Sequence, residues 1–133
     1  MKMKKVLLTA ILASTILFGQ EVLYPDRIKN MQEMELALAT IQKGFLFDNI
    51  HVVKNGVKHL KTTTSHTESF IKEGVNKEGF NTLLYAKKQA KDITDLADEI
   101  LVTFEKGDKY AAANGYLRVL SKCLTCHQTI RSW

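Results

Sequence analysis

The feature that most constrains this 133-residue chain lies close to its end: Cys123-Leu124-Thr125-Cys126-His127, which contains its only two cysteines. Residues three and four apart on a helix share one face. On a helix, Cys123, Cys126 and His127 therefore form a single chemical unit, and the fold has to bring something to that face.

C-x-x-C-H is the attachment pattern of a c-type haem. Two thiols add across the vinyl groups to give thioethers, and the adjacent imidazole reaches the iron. Three other uses of these residues stay open at this level. A disulfide across two intervening residues closes a very small, strained loop and gives His127 no purpose. A zinc site needs a fourth ligand, for which His51, His59 and His66 are the candidates. A thioredoxin-like pair belongs in a strand-helix setting, which the stretch lacks.

The chain is long enough for one domain. It opens Met1-Lys2-Met3-Lys4-Lys5, continues uncharged from Val6 to Phe18, and reaches Gly19-Gln20. A positive start followed by an apolar run too short to cross a bilayer predicts a secretory signal peptide over residues 1–19, with a periplasmic domain over 20–133 and no stable membrane insertion. Outside the cytoplasm, paired free thiols tend to oxidise unless something consumes them. Haem attachment consumes both.

The formal charge of +5 is a poor guide to partners. Loss of Lys2, Lys4 and Lys5 with the leader leaves 16 basic against 14 acidic residues, and no basic patch alternates with aromatics, so nucleic acid is not expected.

One proline and a body rich in leucine, alanine and lysine predict helices. Pro25 suits a first helical position, and Ile28, Met31, Met34, Leu38, Ile41 and Phe45 then recur at helical steps, giving a first helix that ends near Leu46. A second helix runs from about Asn49 to Lys61, followed by a loop at Thr62–Thr67, where hydroxyl and β-branched residues compete with helical hydrogen bonds. A helical turn is expected around Ser69–Glu73. The third helix starts at an Asn81 cap, carries Leu84, Ala86, Ala90, Ile93, Ala97, Ile100 and Phe104, and is stopped by Gly107. Asp108 caps the fourth, whose stripe of Ala112, Tyr116, Leu120, Cys123, His127 and Ile130 runs into the cysteine motif. The expected fold is all-α, an antiparallel up-down-up-down four-helix bundle with its haem on the C-terminal helix. Phe45, Phe47, Phe104, Tyr116 and Leu120 are expected to line the core or the haem faces, and the three histidines outside the motif to lie on the surface.

In helix order, and in a C-x-x-C-H placed on the last helix, the chain resembles the class II c-type cytochromes, the cytochrome c prime family. The resemblance covers all of residues 20–133. It implies one covalent haem c held by Cys123 and Cys126, with His127 on the iron. Arg131, four places after that histidine, matches a basic residue common in the family, which implies a position near the bound imidazole. Arg27-Ile28-Lys29-Asn30-Met31 matches the spacing between a propionate-binding arginine and the side chain facing the open side of the iron, although Ile28 stands where glutamine is frequent.

The distal residue separates two functions. A methionine there, Met31 first and Met34 second, implies a six-coordinate electron carrier serving redox protein partners. A non-ligating residue such as Leu36 implies five-coordinate iron that binds or senses NO or CO. The carboxylates of the third helix fit a solvated face, so catalysis is not expected. The family also implies a possible homodimer through the first helices.

Overall fold

The computed structural model of the chain describes residues 25–67 and 79–131. The expected leader, the turn at Ser69–Glu73 and the side chain of Arg131 lie outside the described residues. Four helices follow in order: α1 (Pro25–Leu46), α2 (Ile50–Ser65), α3 (Thr82–Glu105) and α4 (Lys109–Arg131). They pack in sequence, α1 on α2, α2 on α3 and α3 on α4, as an all-α up-down bundle. Among the described residues no helix is long and apolar enough to cross a membrane.

Local chemistry sets the ends. After Leu46 the chain reverses through Asp48, which takes a left-handed φ of 50°, a conformation aspartate tolerates better than most residues. Asn49 then caps α2, its side chain accepting from the amides of His51 at 3.0 Å and Val52 at 3.2 Å. Asn81 caps α3 by accepting from Leu84 N at 2.9 Å, and Asp108 caps α4 by accepting from Ala111 N at 2.9 Å. Between those two helices Gly107 supplies the positive φ, 84°, that ends α3.

The second helix is longer than its sequence suggests. It continues through Thr62, Thr63 and Thr64 to Ser65, where a loop is expected. Three of these four hydroxyls donate back into the helix, Thr62 Oγ1 to Lys58 O at 3.0 Å, Thr63 Oγ1 to His59 O at 2.9 Å and Ser65 Oγ to Thr62 O at 2.6 Å, while Thr64 Oγ1 is buried with no hydrogen-bond partner. Thr63 and Thr64 are buried, so tertiary packing overrides their modest propensity.

Ile41, Val53, Leu60, Ile100 and Val119 form the fully buried centre. Most of the expected stripes face it. Three positions differ: Ile28 and Leu84 are exposed, and Phe47 stands 72% exposed in the α1–α2 turn, beyond the last turn that could carry it inward. Val119, between Tyr116 and Cys123, belongs to the core without having been picked out by the pattern.

Candidate haem-attachment site

The last three turns of α4 carry the motif, and α3 fixes them from one side. Tyr85 on α3 donates through its hydroxyl to Thr129 Oγ1 at 3.2 Å, and Lys122 Nζ reaches Asp92 Oδ2 at 2.6 Å. Lys88 meets the same Asp92 carboxylate at 2.8 Å, and hydrogen bonds from these two lysines hold its pKa below the usual aspartate value. Between the two tethers, one turn from each, lie Gln89 on α3 and Cys126 on α4. The pairing therefore sets Gln89 level with Cys126.

On the other side stands α1, and here the contact differs in kind. The two helices make no extended backbone approach of the sort that joins the three sequential pairs; side chains span the space. Phe45 meets the Tyr116 ring edge-on, centroids 5.9 Å apart, at one end. At the other, Met31 and Ile130 both pack on Ala86 of α3. Counted from the Phe45–Tyr116 contact along two antiparallel helices of equal rise, Leu38 falls about level with Cys123 and Met34 about level with His127.

Cys123, Cys126 and His127 are all half-buried, and both cysteines are free thiols. Burial pushes both thiols above the ordinary cysteine range, and for Cys123 the nearness of Cys126 adds to this. Tyr116 is likewise pushed up, first by burial and then by Cys123. A redox-active or nucleophilic C-x-x-C needs the opposite, a thiol whose pKa is depressed toward neutrality. No group of three or more histidine, cysteine or carboxylate side chains converges as a metal site among the described residues, so the motif is not gathered into a zinc-like cage. The two free thiols and the histidine one residue on are thus half-buried together on one helix.

The other expected residues fall as follows. Met34 is buried, and its Sδ accepts from Asn30 Nδ2 at 3.8 Å; Asn30 is itself buried. Met31 is half-buried near the start of α1, Arg27 is half-buried one turn before it, and Leu36 is 56% exposed on the outer side of α1. The fold therefore brings Met31 and Met34, but not Leu36, to the side of α1 that faces the core. His51 and His66 are exposed, and His59 Nε2 lies 2.9 Å from Glu33 Oε2.

Two residues of interest carry no motif. The Gln89 side chain is buried, and its Oε1 has no hydrogen-bond partner, an unsatisfied acceptor of the kind native interiors seldom keep. Its signal in the sequence is a polar residue on the apolar stripe between Ala86 and Ile93. Asn30 had none, since an asparagine beside a methionine is unremarkable until the helix face is known.

No family model, curated protein or solved structure matches the chain. What stands is a four-helix all-α protein with Cys123 and Cys126 at C-x-x-C spacing near the end of its last helix.

Proposed function

We propose that this chain is a periplasmic monohaem c-type cytochrome of the class II type, which carries single electrons between redox protein partners. The observation that carries the reading is that Cys123, Cys126 and His127 lie half-buried together on α4, with Cys123 packed against the bundle core. Cys123 and Cys126 hold the haem c through thioethers, and His127 supplies the proximal nitrogen. When bound, haem supplies an iron that cycles between ferrous and ferric states.

The chain's own residues set the conditions. Met34, or Met31 one turn earlier, would offer a thioether sulfur to the haem iron. Leu38, Phe45 and Tyr116 keep water from the inner part of the seam. Arg27, one turn before Met31, suits a propionate carboxylate, and the family resemblance would give Arg131 a role beside the imidazole. The α3 tethers, Tyr85 to Thr129 and Asp92 to Lys122, hold the motif helix still on the side away from α1.

A second reading has an observation of its own. The Met34 sulfur is engaged by Asn30 Nδ2, and a thioether held that way is less free to bind iron. Were Met31 also to stay on Ala86, the iron would be five-coordinate and open to NO or CO. Absorption spectra of the purified protein in both oxidation states decide between the two. Absorbance that survives acid-acetone extraction is expected, as is a low-spin spectrum that turns high-spin in Met34→Ala or Met31→Ala. A high-spin spectrum unchanged in both variants would sink the electron-carrier reading and leave the gas-binding one.

A further inference from the structure

The outward side of α4 carries almost no charge. Tyr110, Leu117 and Leu124 recur every seventh residue and are 91%, 61% and 54% exposed. Beside them stand Asn114, Ser121 and Gln128, also exposed and uncharged. Arg118 is the one charged exposed side chain between Tyr110 and Gln128, and its guanidinium is drawn to the α3 side, where Nη1 donates to both Glu99 carboxylate oxygens at 3.0 Å. The exposed positions of α2 and α3 are rich in charge, with Lys54 and Lys58 on α2 and Lys88, Lys91, Asp95 and Glu99 on α3, as solvated helix faces ordinarily are. Helix α1 also has an uncharged exposed line, Ile28, Gln32, Leu36, Ala39 and Gln42, but it lies on a different helix from the cysteine motif.

The uncharged stripe is continuous with the attachment motif, since Leu124 lies between the two cysteines. We propose that this face of α4 is where the protein meets its electron-exchange partner, in a transient encounter with a redox protein that presents an apolar, uncharged face of its own. The inference rests on the electron-carrier reading above. Its size argues for a passing contact and against a permanent subunit interface. From Tyr110 to Leu124 the stripe is about 21 Å long and about 10 Å wide, far below the roughly 800 Å² that each partner gives to a stable complex and suited to the small interfaces of electron-transfer encounters. Its lack of charge means that apolar contact, rather than steering by opposite charges, brings the two proteins together. One electron passes from the ferrous iron of one protein to the ferric iron of the other, and no proton or bond changes hands.

A second copy of the chain in the opposite oxidation state presents such a face, so electron self-exchange is the probe. Its second-order rate constant is read from NMR line broadening in mixtures of reduced and oxidised haem-loaded protein. The test pair is Leu117→Lys with Leu124→Lys in one chain, against Leu84→Lys with Val102→Lys, which adds the same charge at exposed positions of α3. At low ionic strength the α4 variant is expected to exchange at least tenfold more slowly than the α3 variant, with the gap closing as salt screens the new lysines. Reduction potential and haem content, measured alongside, are expected to match in the two variants. Equal self-exchange rates in loaded proteins of equal potential would overturn the docking face while leaving the electron-carrier reading intact. A protein that takes no covalent haem would overturn both.

Discussion

The two flanks of α1 face different requirements. Against α2 it packs backbone to backbone: a Cβ on Gly56 would lie 2.8 Å from Ile41 N and 3.0 Å from Ala37 O, and one on Gly44 would lie 2.7 Å from Val53 N. Against α4 it meets side chains, with Phe45 on Tyr116 and Met31 sharing Ala86 with Ile130. Glycine closes a seam, because nothing stands between the two backbones. Long, adaptable side chains such as methionine leave a seam that can repack around something else. The first flank holds the bundle together; the second is the one that would have to repack to admit the proposed haem.

The sharpest way to break this contrast is to add volume to the closed flank. Gly56→Val is expected to destabilise the protein by about 3 kcal/mol or more, since the new methyls meet backbone that cannot yield. Urea unfolding reads the effect, and a loss below about 1 kcal/mol would mean that α1 and α2 are not in such close contact. The open flank is expected to lose less. Phe45→Ala removes a half-buried ring that stacks on Phe104, centroids 5.3 Å apart, and meets Tyr116; the expected loss is about 2 kcal/mol, below that of a fully buried phenylalanine.

Gln89 tests the side of the motif that faces α3. Replacing it with leucine removes a buried acceptor that has no donor, so protein free of haem is expected to gain about 1 kcal/mol. A loss of similar size would mean that Oε1 is satisfied, by water for instance, and that the α3–α4 interface at Cys126 is wetter than drawn.

Much of this was legible in the sequence, for identifiable reasons. The four helices, the Asn81 and Asp108 caps and the α1 and α3 stripes follow from periodicity and capping chemistry, which act within a few residues. The end of α2 was not, because Thr63 and Thr64 are helical through burial against other helices, a long-range effect that outweighs local propensity. Phe47 misled for a related reason, as hydrophobicity says nothing about which side of a turn a residue occupies. At the site, Cys123, Cys126 and His127 could be read from spacing alone. The Asn30 contact to Met34 and the orphaned Gln89 oxygen could not, since each depends on which helix faces which.

The thiols give a smaller effect with a definite sign. In protein free of haem, burial raises the pKa of Cys123 and Cys126, so the folded state favours the protonated thiols. That contribution is fully present below the ordinary thiol range and is lost as pH rises through the raised folded values. Alkaline unfolding curves should show this loss in the haem-free protein and not in Cys123→Ala with Cys126→Ala. They should also lack it once the sulfurs are thioethers, which have no proton to lose. An unchanged alkaline slope in the double variant would mean that the thiols are as solvated as in the unfolded chain, and the seam less protected than its neighbour.

The smallest expected effect lies outside the open seam, at the tether that steadies its motif helix from α3. Asp92 has its pKa lowered chiefly by hydrogen bonds from Lys122 and Lys88, so its contribution is present above the ordinary aspartate value and is lost as pH falls through the depressed one. Lys122 is about one-third exposed and Lys88 more so, and solvent screening holds such pairs to about 0.5 kcal/mol or less. Asp92→Asn should therefore barely change stability at neutral pH, yet it removes the acid-side loss. If the tether also aligns the motif, the same variant should shift the reduction potential of the loaded protein by more than its stability change implies. Equal, small changes in both would mean that Tyr85 and the core alone hold α4 in place, and that the charged tether is an ordinary surface pair.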